Sequence, residues 1–409
     1  MVALVSGLLL SAALGVVLAA TTPWRPLGDA STPTPVDWRR DFSAAEHARE
    51  QAFHSAVRPP AYLGLALALL AVALLGFTPW GARLVDRISR PLGGWWGWRV
   101  LLAVLVFALV QRLVTLPTSI RAEQVLRDYG LSTQSWGTWA ADMGKGMGVS
   151  VVITSLGLLP LVWVARRLPD WWWAPAAVGS ALLVLVVSFG YPVVIEPLFN
   201  KFTPLPAGEL RTSLLDLAAQ DHVKVDQVLV ADASRRTNSL NAYVSGFGAT
   251  KRIVVYDTLL TQATPQEVRL VVAHELGHAK RKDVLHGTLI GALAGAAGLC
   301  LLGAVLGRRM GDPRTVPLLL AIIAFAGFAI SPLMQLVSRH VEARADVHSL
   351  DLTHDPTTFI ASERRLAMTN LSDLDPNPLI YALFASHPTG PQRIATARDW
   401  ALAHHVPAP

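Results

Sequence analysis

Two histidines one helical turn apart, His274 and His278, enclose a glutamate in the pattern H-E-x-x-H. Positions i and i+4 of a helix project from the same face, so both imidazoles can bind one Zn²⁺ ion. Glu275 lies next to the first histidine, where its carboxylate can accept a proton from a zinc-bound water. The pattern predicts a metal-assisted hydrolytic site; the alternative is a pair of unrelated core histidines.

The residues before this motif predict the helix that it requires. Thr264, Pro265 and Glu267 match an N-cap, a proline at the first helical position and a capping-box glutamate. The apolar residues from Val268 onward carry the helix into the protein. Gly277 is a poor helix former, and its lack of a side chain allows another backbone to approach the helix.

A second polar segment offers the third ligand that a catalytic zinc site needs. Glu342 lies in the segment S-R-x-x-E-x-x-A-D, which reads as a helix and ends at Asp346. Catalytic zinc takes three protein ligands and an open position for water, and Glu342 can be the third. Asp346, one turn later, can either hold the ring N–H of a ligating histidine or protonate the leaving amine. On its own, the segment would be interpreted as a solvated charged helix face with ordinary salt bridges.

The composition predicts a multi-pass membrane protein. Of 409 residues, 52% are hydrophobic and only 16% are charged, whereas soluble domains carry about 25% charge. The apolar residues form seven stretches, each near the roughly 20 residues that cross a bilayer. They cover about 2–20, 61–78, 99–116, 147–165, 173–195, 286–306 and 315–337. We therefore expect about seven transmembrane helices.

Charge and cysteine usage exclude other kinds of site. The net charge is +6, but the basic residues are dispersed among the loops, so we expect no nucleic-acid partner. The chain has one cysteine, Cys300, inside an apolar stretch. An intramolecular disulfide and a thiolate-ligated zinc site are both excluded.

A polar region between the stretches predicts a small sheet before the H-E-x-x-H helix. After an amphipathic helix at Leu210–Ala219, strands are expected at Gln227–Ala231, Asn241–Gly246 and Arg252–Tyr256, the last two joined by a turn over Gly246–Thr250. A peptide can add to an exposed edge strand through backbone hydrogen bonds, which would bring its carbonyl to the metal. The alternative is an ordinary hairpin.

Taken together, these motifs resemble the CAAX prenyl protease 1 family of integral-membrane zinc metalloproteases. Beyond the two segments above, the similarity extends over Pro197–Leu205, Asn241-Ala242-Tyr243 with Gly246, Lys251–Leu260, and Ser386-His387-Pro388 with Arg393. It runs from about Ile195 to Ile394. In the first 190 residues mainly the spacing of the apolar stretches agrees.

The resemblance implies roles for particular residues. His274, His278 and Glu342 would bind one Zn²⁺ ion per chain, with Glu275 as general base and Asp346 as a second catalytic acid. His387 and Arg393 would face the zinc and stabilise the oxyanion. Asn241, Ala242, Tyr243 and Gly246 would form the substrate-binding edge. The resemblance also implies that the membrane helices enclose a chamber around the metal.

The expected fold class is mainly α: a multi-pass helical membrane protein with a zinc metalloprotease domain that contains a small β-sheet. We expect a membrane domain with about five helices over 1–195, the zinc-protease segment over 196–285, two further membrane helices over 286–337, and a C-terminal segment with the third ligand over 338–409. The expected partners are a peptide or protein substrate and the lipid bilayer, and a monomer is favoured.

The expected function is hydrolysis of peptide bonds in membrane-associated or C-terminal peptide substrates. The expected location of the protein is a cell membrane. The alternatives are a membrane quality-control protease or polypeptide-binding factor, and a transporter with a His/Glu relay. Orientation is undecided: the resemblance favours a cytoplasmic zinc site, but the short loops at the other end carry several arginines. By the positive-inside rule those loops would be cytoplasmic.

Overall fold

The computed structural model describes residues 1–28, 34–246 and 251–407. In its first half, six helices precede a short helix that ends at the polar region. They are α1 Val2–Thr21, α2 Ala44–Phe77, α3 Pro79–Ser89, α4 Trp96–Asp128, α5 Trp136–Arg167, α6 Trp173–Gly190 and α7 Glu196–Phe199, with a π-helical turn at Tyr191–Ile195 between the last two.

The polar region contains the sheet and the helix of the H-E-x-x-H motif. Its elements are β1 Phe202–Pro204, α8 Glu209–Gln220, β2 Gln227–Ala231, β3 Ala242–Ser245, β4 Arg252–Tyr256, α9 Asp257–Gln262 and α10 Pro265–Arg281. The three predicted strands and the predicted amphipathic helix are thus confirmed, and β1 is an additional strand. Residues 247–250 of the expected turn lie outside the described residues.

Five helices complete the chain: α11 Asp283–Leu306, α12 Val316–Thr353, α13 Pro356–Thr369, α14 Pro378–Phe384 and α15 Gly390–Ala403. Across the described residues, seven helical segments are long and apolar enough to cross a membrane, five before residue 200 and two after it. The chain is a multi-pass membrane protein.

The last membrane helix continues without interruption into the metal centre. At 38 residues, α12 is about 57 Å long, roughly twice the bilayer's hydrocarbon thickness. The apolar stretch and the polar segment that follows it form one continuous helix, which packs against α10. One rigid element therefore anchors Glu342 to the membrane domain.

The sheet has the strand order β1-β2-β4-β3, with β2 and β4 parallel and both outer pairs antiparallel. One face packs on α8 and α10 through buried side chains that include Val228, Val255, Val272 and Leu276. In this order β3 is an edge strand. Its C-terminal end is tied to α7, because Ser245 donates a hydrogen bond to the buried Glu196 carboxylate at 3.1 Å.

The basic loops lie together at the end of the bundle away from the sheet. Arg308 pairs with Asp170 at 2.6 Å, and Arg314 pairs with Asp86 at 2.7 Å. The first ion pair joins the segments that follow α5 and α11, and the second joins the segment before α12 to α3. Two of the arginines that bear on orientation, Arg308 and Arg314, are therefore partly neutralised by aspartates.

Candidate metal centre

The helix with both histidines begins as its sequence predicts. The Thr264 hydroxyl accepts a hydrogen bond from Glu267 N–H, and the Glu267 carboxylate accepts one from Thr264 N–H at 2.7 Å. This capping box satisfies backbone donors that the first turn leaves unpaired. Pro265 occupies the first helical position. The start of the helix is therefore fixed about two and a half turns before His274.

Three potential ligand atoms meet between α10 and α12. His274 Nε2 lies 3.1 Å from Glu342 Oε2 and 3.2 Å from His278 Nε2, and the distance from His278 Nε2 to Glu342 Oε2 is 3.6 Å. A tetrahedral ion with ligand bonds of about 2.0–2.1 Å has ligands about 3.3 Å apart. The three atoms therefore stand at the separations that one zinc-sized ion requires.

Each histidine is oriented by a carboxylate on its other ring nitrogen. His274 Nδ1 lies 2.9 Å from Asp346 Oδ1, and His278 Nδ1 lies 2.9 Å from Asp283 Oδ2. Both carboxylates accept the Nδ1 proton, which leaves Nε2 of each ring as the free donor to a metal. Asp283 begins α11 and is held by Arg344. No motif in the sequence distinguishes Asp283, although it lies only five residues after His278.

The protonation of the two rings also suits a cation. Burial alone lowers the pKa of His274, but its hydrogen bonds to Asp346 and Glu342 raise the pKa to about 10. Burial likewise lowers the pKa of His278, and the bonds to Asp283 and Glu342 raise it to about 9. The carboxylates therefore hold positive charge on both imidazoles, and a bound dication would take the place of those protons.

Glu275 projects into the cavity beside the ligand cluster. It lines an opening of about 540 Å³ together with His274, Asn241, Tyr381 and His387. Within the described parts of the chain, no hydrogen bond or ion pair reaches its carboxylate. Burial raises the pKa of Glu275. A carboxylate with these properties can accept a proton more readily than an exposed one.

Asp346 and Arg393 lie behind the ligands. Asp346 is only 1% exposed, and Arg393 contacts both of its oxygens, through Nε at 2.9 Å and through Nη2. Of the two roles that the sequence left open for Asp346, these contacts favour holding the His274 ring. Arg393 Nη1 also pairs with Glu363 at 2.6 Å, so its guanidinium is engaged by carboxylates on two sides. That arrangement favours orientation of Asp346 over direct contact with an oxyanion.

Glu363 is a further buried acid that no sequence motif indicates. It is 5% exposed, and burial raises its pKa to about 7. Nothing in the local sequence around Glu363 distinguishes it from a surface residue of an ordinary helix. Only the packing of α13 on α15 places it against Arg393.

His387 reaches the cavity from the loop before α15. Its Nε2 lies 3.3 Å from Glu342 Oε2, and its Nδ1 lies 2.8 Å from the Ser386 hydroxyl. The ring is exposed to the cavity. Of the two residues expected to face the metal, His387 is therefore the one with a free surface there.

The four residues of the expected substrate edge are divided between strand and cavity. Asn241 is exposed and lines the cavity, Ala242 is buried in β3, and Tyr243 packs edge-on against Tyr256. Gly246 follows the strand with a φ of +92°, in the region that favours glycine. Gly277, in contrast, faces α12: a Cβ there would lie 2.9 Å from the His348 ring. It therefore permits close packing of α10 against α12.

Comparison with known proteins gives a consistent result. The sequence pattern of peptidase family M48 matches residues 204–401, and that of the CAAX prenyl protease N-terminal region, with five membrane helices, matches residues 45–201. An uncharacterised metalloprotease of Bacillus subtilis, YhfN, is 34% identical over 306 residues, 72% of each chain.

Eukaryotic proteins are similar over comparable lengths. The CAAX prenyl protease 1 homologue of Arabidopsis thaliana is 31% identical and covers 79% of this chain and 80% of its own. The CAAX prenyl protease 1 of Saccharomyces cerevisiae is 30% identical and covers 70% and 69%. The crystal structure of S. mikatae Ste24p has a TM-score of 0.74 at 22% identity, over 97% of this chain and 98% of that one, and so has the same fold.

Proposed function

The chain belongs to peptidase family M48 and is a membrane metalloprotease of the CAAX prenyl protease type, and from that premise we propose how it works. One Zn²⁺ ion is held by His274, His278 and Glu342, and a peptide bond is hydrolysed in the adjoining cavity. The main support for this proposal is that the three candidate ligand atoms lie 3.1–3.6 Å apart and that Glu275 lines the adjoining cavity.

When bound, the zinc ion supplies Lewis acidity, which lowers the pKa of water and polarises the substrate carbonyl. The protein supplies the proton transfers. Glu275 accepts the proton of the attacking water, because its carboxylate has no hydrogen bond to another described residue and burial raises its pKa. The protonated Glu275 then donates to the leaving amine.

The groups around the ligands position them and stabilise charge. Asp346 and Asp283 fix the ring orientations of His274 and His278 through Nδ1. Asp346, first expected to be a second catalytic acid, is better suited to this positioning role because it is buried and held by Arg393. His387 is the donor that we assign to the oxyanion.

The substrate backbone binds along β3. Asn241 presents its side chain to the cavity. Ala242 and Tyr243 lie in β3, which forms the outer edge of the sheet, and Gly246 follows the strand. Affinity then comes mainly from main-chain hydrogen bonds and depends little on side chains. We propose that the substrates are membrane-associated or C-terminal peptides, because the cavity is bounded partly by His54, Arg58 and Tyr62 of a membrane helix.

We further propose the four-part division of the chain at 195/196, 285/286 and 337/338, a monomeric assembly, and a cytoplasmic metal centre. The paired arginines at the opposite end of the helix bundle bear on the proposed cytoplasmic location of the metal centre. Cys300 is buried, so single cysteines can report orientation with little background. Leu402→Cys at the metal end should be shielded from an impermeant maleimide in intact cells, and Arg90→Cys at the other end should be labelled. The reverse pattern would place the metal centre outside.

Zinc analysis combined with a cleavage assay tests the proposal. The purified protein should contain one zinc per chain and cleave a fluorogenic peptide in detergent or liposomes. A chelator should abolish cleavage, and added Zn²⁺ should restore it. Peptide binding without zinc-dependent cleavage would instead support a polypeptide-binding factor, the main alternative.

A further inference from the structure

The outer edge of β3 has a defined set of free backbone groups. The N–H of Tyr256 donates to the C=O of Asn241 at 3.0 Å, and Tyr243 stands opposite Val254. Hydrogen-bonded and non-bonded pairs alternate along an antiparallel ladder. Asn241 and Tyr243 therefore direct their backbone groups to β4, and Ala242 and Val244 direct theirs away from the sheet. In the described ranges no hydrogen bond from another element reaches the backbone of either residue.

Leu240 continues this alternation, but its outward groups are already paired. Its N–H donates to Asn370 Oδ1 at 2.9 Å, and Asn370 Nδ2 donates to its C=O at 3.3 Å. The assignment of the amide atoms follows from chemistry, because a backbone N–H only donates and a carbonyl only accepts. The Asn370 side chain thus makes the two hydrogen bonds that a neighbouring strand residue would make.

This amide is held firmly and lies in the catalytic cavity. Asn370 ends α13, with its own N–H bonded to Leu366 C=O at 2.9 Å, and Leu371 reverses the chain with a φ of +49°. Leu240 is 3% exposed. Leu240 and Asn370 line the same cavity as His274 and Glu275. The blocked position is therefore at the end of β3 where the reaction is proposed to occur.

We propose that Asn370 is a specificity-determining residue that ends the peptide-binding edge at Ala242. The inference rests on the proposed function, specifically on backbone pairing of the substrate with β3. A bound peptide pairs with Val244 and Ala242 and must then leave the edge, because Asn370 occupies the next pairing position. Residues beyond that point gain no backbone hydrogen bonds from the sheet. Asn370 thereby limits how much of the substrate is held on that side.

An N-methyl scan of a cleaved peptide tests this limit. Each residue of the peptide is methylated in turn on its backbone nitrogen, and kcat/KM is measured for the wild type and for Asn370→Ala. In the wild type, we expect N-methylation to lower kcat/KM at every second residue over a short run of the peptide. Beyond that run, methylation should have no effect. In Asn370→Ala, Leu240 is released, and the sensitive run should extend by one alternate position. Methylation there should lower kcat/KM roughly three- to tenfold, the effect of one hydrogen bond.

Two further variants keep the test decisive. Asn370→Ser is too short to contact both groups of Leu240 and should give the same extension if the alanine variant does not accumulate. Asn238→Ala is the matched control: its Nδ2 donates to Gly130 C=O at 2.7 Å in the same segment, away from the edge. We expect the control to retain the wild-type run.

The outcomes distinguish the proposed role of Asn370 from the binding of the peptide along β3. An unchanged run in the Asn370 variants, with sensitive positions in the wild type, overturns the capping role and leaves edge binding intact. A wild-type enzyme that cleaves peptide but shows no sensitive position overturns edge binding itself. An extension that also appears in Asn238→Ala would indicate loosening of the segment and would overturn the specific role of Asn370.

Discussion

Removal of Asp283 should weaken metal binding although the residue is not a ligand. Its Oδ2 accepts the Nδ1 proton of His278 at 2.9 Å, and its side chain is 15% exposed. Loss of a carboxylate that orients a ligating histidine typically lowers metal affinity by 10- to 100-fold. At about 1.4 kcal/mol per tenfold change, Asp283→Ala should weaken zinc binding by about 1.4–2.8 kcal/mol.

The loss of zinc affinity should depend on which side chain replaces Asp283. Asn at position 283 keeps an oxygen that can accept from His278 but loses the charge that pairs with Arg344. We therefore expect Asp283→Asn to bind zinc more weakly than the wild type and more tightly than Asp283→Ala. The order follows from the fact that the alanine variant frees the ring to rotate and leaves its tautomer unfixed.

Competition between the metal-free protein and a chelator of known zinc affinity measures the change. Asp221→Asn is the control, because Asp221 is a buried carboxylate that joins Lys280 of α10 to His348 of α12 without contacting a ligand. It should leave zinc affinity unchanged even if stability falls. Equal zinc affinity in the wild type and in Asp283→Ala would refute the assigned role of this carboxylate.

Two further predictions concern the edge strand and the helix contact. Ala242→Pro removes an outward N–H and fixes φ, so peptide binding should be lost in a peptide-binding assay while zinc remains bound, whereas Ala242→Ser should be mild; normal cleavage by a folded proline variant would place the substrate elsewhere. Gly277→Ala should lower the thermal unfolding temperature in detergent, because overpacking against His348, about 1–3 kcal/mol, exceeds the gain in helix propensity of at most about 1 kcal/mol. An unchanged or higher unfolding temperature would show that α12 moves aside freely.

The sequence predicted those features that depend on local signals. The capping box, the proline at the first helical position and the histidine spacing lie within fifteen residues, and all act on one helix. The membrane helices were recognisable because each apolar stretch is itself near the length of a bilayer crossing. Their ends were less predictable: α2 begins at Ala44, well before its apolar part, because its polar N-terminal half packs against the C-terminal segment through Arg58 and Asp373.

Features that depend on tertiary packing could not be predicted from local sequence signals. Glu363 and Asn370 lie on an ordinary amphipathic helix, and their partners Arg393 and Leu240 are 30 and 130 residues away. The same limit applies to Gly277, whose meaning depends on α12 crossing at that point. The motif residues predicted where chemistry could occur, and the supporting residues became visible only with the fold.

The most direct test of the central claim is the turnover of Glu275→Gln with its zinc content measured on the same sample. The amide is nearly isosteric, does not ligate the metal and cannot accept the water proton. We predict one zinc per chain, as in the wild type, and a fall in turnover of at least about 10²-fold. Near-normal turnover at full zinc content would contradict the account, because the proton would then be taken by another group.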